Sequence, residues 1–383
     1  MTKYLFGDLV RNCKEKVDRD NNPYEYFVAG DHMETERPKL TMRGRFDESD
    51  VGPAFIRMFK PGQVLYGSRR TYLKKVSVAD FEGVTSNVTF VLETKDESIL
   101  PQRLLPFLLL SDRFTSYSIG KSKGSTNPYV LFSDLADFEM DLPEPKTVAE
   151  IADIMCAAER LKEDYRSLIA TCDDVVKSQF VEMFGDPSTL IGRWTVSRLD
   201  GFTQIITGNT PSRKHPEYYG EGTEWIKTDN IVNSVITTAA EQLTTVGREK
   251  ARIAPAGSIL MACIAGSVNS IGKVGLLDRE AAFNQQINAI VPGDKVDARF
   301  LLTMLSLSKA YLCSNVNQQL KGILNKSTLS AKQFPVPPLP LQQEFADFAT
   351  SVDKSKFAVQ QALDELNATT KKILNQELGL GDV

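Results

Sequence analysis

The chain has 383 residues, a formal net charge of −4, 42% hydrophobic and 25% charged residues. That length exceeds one ordinary core and calls for two or three domains. No run approaches the roughly 18 uninterrupted apolar residues of a membrane span, and the N-terminal "MTKYLFGDLVRNCKEK" lacks the apolar core of a secretion signal, so a cytoplasmic protein is expected. Five scattered cysteines without a CxxC pair support neither a disulfide framework nor a zinc site.

From the N-terminus, the first distinctive feature is a basic run from Arg57 to Lys75, which holds Arg57, Lys60, Arg69, Arg70, Lys74 and Lys75 and no acid, interleaved with Phe59, Tyr66 and Tyr72. Such a run can neutralise phosphates, and arginine can reach guanine edges with two hydrogen bonds. A charge run is more often simply a solvated surface. Downstream, "GKSKGSTN" adds Lys121 and Lys123.

Residues 150–185 and 344–379 then align without a gap. The pairs Glu150/Glu344, Ala152/Ala346, Asp153/Asp347, Lys162/Lys356, Lys177/Lys371 and Gly185/Gly379 are identical. In the first copy Ile151, Ile154, Ala158, Leu161, Tyr165, Leu168, Cys172 and Val175 alternate spacings of three and four, which predicts a helix. In the second, Phe345, Val352, Val359, Leu366 and Ile373 recur every seven residues, with Phe348 near its start and small Ser355, Ala362 and Thr369 along the other seam. A capping-box spacing from Thr147 to Glu150 and the string "FPVPP" mark the entries, and a glycine closes each copy. Thirty-six helical residues span about 54 Å, and a lone helix of that length with one apolar stripe needs a partner. Core helices of two domains would fit the pattern too, but the matched register favours an antiparallel coiled coil. Both segments are acidic, leaving the remainder of the chain slightly basic.

Upstream the repeat continues weakly. "PGQVLYGSRRTYLKKVSVADFEGVTSNVTFVL" parallels "AGSILMACIAGSVNSIGKVGLLDREAAFNQQINAIV", and "LLPFLLLS" parallels "FLLTMLSLS". In the second half "TGNTPSRKHPEYYG" supplies Thr210, Ser212, Arg213 and Lys214, and "FNQQIN" supplies Asn284, Gln285 and Gln286. Side-chain amides pair with adenine when they face a groove, or cap turns when they do not. "LKGILNKST" adds Lys321 and Lys326 at the place corresponding to Lys121 and Lys123.

Catalytic patterns fail. "NPY" at Asn127 lacks the second proline of an adenine methyltransferase loop, and "GSVNSIGKV" has the wrong glycine spacing for a phosphate loop, with Val274 where Ser or Thr would bind magnesium. His32 and His215, the two histidines, sit in no ligand or triad pattern.

"GNTPSRKHPEYYGEGTEWIKTDNI", "FNQQINAIVP" and "PPLPLQQEFADFATSVDKSK" resemble the DNA-specificity (S) subunit of type I restriction-modification enzymes, and the order of parts resembles it throughout. The resemblance implies an α+β protein of two strand-rich target recognition domains, each followed by a long helix, the helices packed as an antiparallel coiled coil with pseudo-twofold symmetry. The expected boundaries are 1–145 and 187–340 for the domains and 146–186 and 341–383 for the helices. It implies a non-catalytic chain that reads bipartite double-stranded DNA, docks two methyltransferase (M) subunits and joins restriction (R) subunits. S-adenosylmethionine, ATP and magnesium would sit on those partners. Two alternatives stand beside it: a recognition module fused to a methyltransferase or nuclease, and a coiled-coil assembly protein that binds no DNA.

Overall fold

The computed structural model describes residues 1–189, 194–239, 241–264, 270–314 and 323–380. The chain folds as two compact units, Met1–Ser167 with Gln360–Val383, and Leu168–Val359.

In the first unit a four-stranded antiparallel sheet runs in the order Val10–Cys13, Thr89–Thr94, Val64–Gly67, Val76–Val78. Alternation along its strands explains its burial on both faces. Val64, Tyr66, Phe90 and Leu92 point into the core beneath the helices Leu105–Leu110, Asp112–Gly120 and Phe132–Ala136, whereas Leu65 and Val91 point into a second core. That second core is shared with a sheet ordered Gly44–Arg45, Tyr26–Val28, Gly83–Ser86, Phe55–Phe59, where Tyr26–Val28 lies parallel to Gly83–Ser86. A two-stranded ladder, Thr2–Leu5 with Glu139–Leu142, completes the domain.

The second unit repeats this order. Its first sheet runs Thr203–Thr207, Ile287–Pro292, Ile259–Ala262, Val274–Leu277, with Val235–Ile236 added at the edge. Its second sheet runs Glu241–Leu243, Tyr219–Ile226, Ala281–Phe283, Ile253–Ala254, and the Tyr219–Ile226 strand again pairs in parallel with Ala281–Phe283. The ladder is Thr195–Arg198 with Gln333–Val336. Parallel pairing recurs at the same two places, inside the second sheet and at the edge of the first, where Val235–Ile236 lies parallel to Val274–Leu277 and Lys39 bridges Val78, which marks a shared topology although little sequence identity survives between the domains.

The two repeated segments are helices, Pro145–Phe184 and Leu339–Glu377. In the first unit Val148, Ile151, Ala152 and Met155 share a core with Leu374, Leu378 and Leu380, and the Lys162 ammonium donates to Thr370 Oγ1 at 2.8 Å. In the second, Phe180 and Phe184 pack edge-on against Phe345, with ring centroids 5.3 and 5.8 Å apart, and Lys356 reaches Asp173 at 2.6 Å.

The expected seam needs correcting. Ile154, Leu161 and Leu168 are 50, 41 and 46% exposed, and Tyr165 is half-buried, whereas burial follows Val148, Ala152, Met155, Lys162, Val176 and Phe180. The two stripes are one residue out of step. The covered stripe carries charge at its centre, where Glu159, Lys162 and Arg166 pack against polar partners, so an apolar pattern leads to the wrong neighbour. On the second helix Phe345 is buried and Phe348, Val352, Val359, Leu366 and Ile373 are half-buried. The companion positions are Ala349, Lys356, Leu363 and Thr370 rather than Ser355, Ala362 and Thr369.

Candidate nucleic-acid interface

In the first unit the strand Val64–Gly67 runs out into a loop that holds Arg69 and Arg70. Arg70 and Lys74 adopt left-handed φ values of 50° and 46° around a short 3-10 turn, Thr71–Leu73. Non-glycine residues hold such conformations only when their surroundings fix them. Here the Arg70 N–H donates to Pro128 O at 2.7 Å, and Arg69 and Lys123 each bridge to Tyr129. The two polar loops found separately in the sequence therefore lie side by side. Arg69, Arg70, Tyr72, Lys121 and Lys123 are exposed there, the Arg69 guanidinium lies 5.9 Å from the Tyr129 ring, and Lys123 pairs with Asp134 at 2.8 Å.

Arg57 and Lys74 of the basic run do not join them. Arg57 lies on the strand Phe55–Phe59, where alternation turns it inward. It is 9% exposed, donates to Asn12 Oδ1 at 3.1 Å, and burial lowers its pKa. Lys74 turns the other way, onto Glu36 at 2.5 Å and Asp112 at 3.5 Å, and is held by those carboxylates. A continuous basic run reads as one surface in sequence, but the strand and the turn distribute it over three.

In the second unit the loop after Thr203–Thr207 carries Thr210, Ser212, Arg213 and Lys214, all exposed or nearly so. Arg213 is anchored: its guanidinium lies 4.0 Å from the Tyr219 ring centroid and 5.1 Å from Trp225, and it reaches Glu241 at 2.5 Å. Lys227 also pairs with Glu241, and hydrogen bonds from Lys227 and then Arg213 outweigh burial and lower the Glu241 pKa. Thr210 Oγ1 donates to Gln285 Oε1, joining this loop to the "FNQQIN" turn. Within that turn Gln285 is exposed and Gln286 half-buried, but Asn284 is 6% exposed and its Oδ1 accepts from the Gln286 N–H at 3.0 Å. Asn284 is thus a turn brace, not a surface contact. Lys326 is exposed at the start of the helix Lys326–Ala331, and Lys321 lies outside the described residues.

Sequence reasoning missed the ring partners Tyr219 and Trp225 and the Glu241 carboxylate, which meet around Arg213 only once Tyr219–Ile226 pairs with Glu241–Leu243. It also missed Arg43, whose guanidinium lies 3.9 Å from the Tyr26 ring.

Each unit also contains a polar cleft flanked by its helical segments. The first, about 350 Å³, is lined among others by Lys162, Asn367, Thr370 and Lys371; the second, about 310 Å³, by Lys356, Asp173, Val176 and Lys177. These are the same four positions of the helix repeat, and Leu110 in one cleft answers Leu307 in the other.

Residues 192–368 match the family described as "Type I restriction modification DNA specificity domain". The "Type I restriction enzyme HindI specificity subunit" of Haemophilus influenzae is 23% identical over 419 aligned residues, covering 88% of this chain and 89% of that one. Residues 192–368 thus carry a type I restriction-modification DNA specificity domain. The S subunit of a type I system from M. genitalium superposes with a TM-score of 0.58 at 14% identity, covering 100% of this chain and 96% of that one. A chain from a structure concerned with assembly and conformational transition of the type I R-M system gives 0.55 at 17% identity, covering 98 and 97%. At such identities these likenesses speak to the fold. With that domain the chain is a DNA target-recognition chain, and the relatives it resembles are specificity subunits. Among its described residues no cluster of His, Cys, Asp and Glu is arranged to hold a metal ion, and no helix is long and apolar enough to cross a membrane.

Proposed function

We propose that this chain is a specificity subunit that reads a DNA target in two parts, one per strand-rich domain, and that its long helices set the distance between them. The observation that carries the proposal is the repeated topology: the two domains share one sheet order and the same parallel pair, and each presents exposed cations on a loop leaving its first sheet, after Val64–Gly67 in one and after Thr203–Thr207 in the other. Arg69, Arg70 and Lys121 in one, and Arg213 and Lys214 in the other, can neutralise phosphates and reach base edges. The contacts Lys162 to Thr370 and Asp173 to Lys356 support an antiparallel coiled coil with pseudo-twofold symmetry.

The two repeat-related clefts suit two copies of one partner, and we assign them to two methyltransferase subunits, with restriction subunits joining the assembly. S-adenosylmethionine, ATP and magnesium then belong to those partners, and the complex works in the cytoplasm. Selection from a random duplex pool by the chain together with its methyltransferase subunits, at fixed salt, tests the reading. The recovered duplexes should carry two fixed blocks separated by a constant, unspecified gap. A single block, or no enrichment, would refute it.

A further inference from the structure

The strand pairings align the two domains at a turn that the helix repeat does not reach. Val28 pairs in parallel with Thr85, and Ile226 pairs in parallel with Phe283. The next residue closes a tight turn in both: Ser86 Oγ accepts from the Val88 N–H at 3.4 Å, and Asn284 Oδ1 accepts from the Gln286 N–H at 3.0 Å. The chain then re-enters the first sheet, Thr89 against Gly67 and Ile287 against Ala262. Between brace and strand stands one exposed carboxamide in each domain, Asn87 and Gln285.

Both tips are fixed from behind. The Asn87 N–H donates to Ala54 O at 2.7 Å and Ser68, the residue before Arg69, donates to the Val88 carbonyl. In the second domain the Gln286 carbonyl accepts from the N–H groups of Cys263 and Ile264 at 2.8 and 3.1 Å. The Asn87 side chain has no hydrogen-bond partner among the described residues, and Gln285 gives its Oε1 to Thr210. A carboxamide offers a donor and an acceptor side by side, the complement of the N6 and N7 edge of adenine in the major groove. A braced backbone presents it without a backbone ordering cost at binding.

We infer that Asn87 and Gln285 are equivalent specificity-determining positions, each reading adenine within the half-site of its own domain. The inference rests on the two-part reading proposed above. The test is the same selection, made with the methyltransferase complexes of the wild-type chain, Asn87→Ala, Asn87→Asp and Gln285→Ala. Asn87→Ala should cost about tenfold in preference for adenine at one position of one block, and Gln285→Ala the same in the other block, with the gap unchanged. Asn87→Asp keeps the turn and removes the donor, so preference there should move toward cytosine, whose N4 amino group donates to a carboxylate. Wild-type selectivity in all three variants, or a change spread over both blocks by either single substitution, overturns the assignment. Failure of the wild-type chain to select two blocks would instead refute the two-part reading.

Discussion

The side chain of Glu163 is 14% exposed on the first long helix, where both its oxygens accept from Arg37, at 2.9 and 2.7 Å, and one accepts from Arg166. Burial alone would raise its pKa, but the hydrogen bonds from Arg37 and Arg166 outweigh burial and hold it at about 2, against an ordinary value of 4.5. At about 1.4 kcal/mol per pKa unit, the charged form is stabilised by about 3 kcal/mol. Glu163→Gln should therefore lower stability by about 3 kcal/mol at pH 7, or roughly 6–12 °C in Tm for a unit of this size. A carboxylate with a depressed folded pKa stabilises above its unfolded pKa and loses that contribution as pH falls toward the folded value. The gap between wild type and variant should thus be full at pH 6–7 and close between about pH 4.5 and 2. Urea titrations followed by far-UV circular dichroism across that range measure it. A gap below about 1 kcal/mol, or one that pH leaves unchanged, would refute the reasoning.

Lys162→Met should raise stability by about 1–2 kcal/mol, because burial lowers the lysine pKa and Thr370 keeps its bonds to the Leu366 and Asn367 carbonyls. That advantage should shrink as pH rises from the folded pKa toward 10.5, where the wild-type folded state sheds its proton first; thermal melts at pH 7 and 10.5 check both claims. Inserting one heptad at matched points of both long helices should lengthen the selected gap by about 10.5 Å, close to three base-pair steps, while leaving both blocks intact. A gap that does not respond in the random-pool selection would remove the helices as its ruler.

What the sequence disclosed follows from how each feature is encoded. The helices were legible because a long helix writes its register in spacing, and two copies write it twice. Their covered face was misread by one position because its middle is held by Lys162, Glu159 and Arg166, whose burial depends on Thr370, Glu163 and one another. The equivalence of "VAGDHM" and "IKTDNI" was invisible, since what both strings preserve is a parallel strand followed by a 3-10 turn closed by His32 in one and Asn230 in the other. Arg57 was misplaced because a charge run carries no mark of strand alternation. Arg213 was found, but the rings and carboxylate that fix it converge only through sheet pairing.

The first unit is not one stretch of chain. Its core includes Leu374, Leu378 and Leu380 beside Phe6 and Val148, and the Arg113 guanidinium donates to the Gly379 carbonyl across 266 positions at 2.9 Å. The second unit is continuous from Leu168 to Val359. On the ribosome, domains usually mature in the order of synthesis. Here that order is inverted: the second unit can close while the first still awaits residues from Gln360 onward, with the apolar surface around Ile151 and Met155 uncovered in the meantime. Closing so long a loop adds entropic cost only slowly with length, but it delays the contacts that reward it. The first domain to be translated is the last to be completed, so a chain that stalls before Gln360 leaves its earliest segment unfinished.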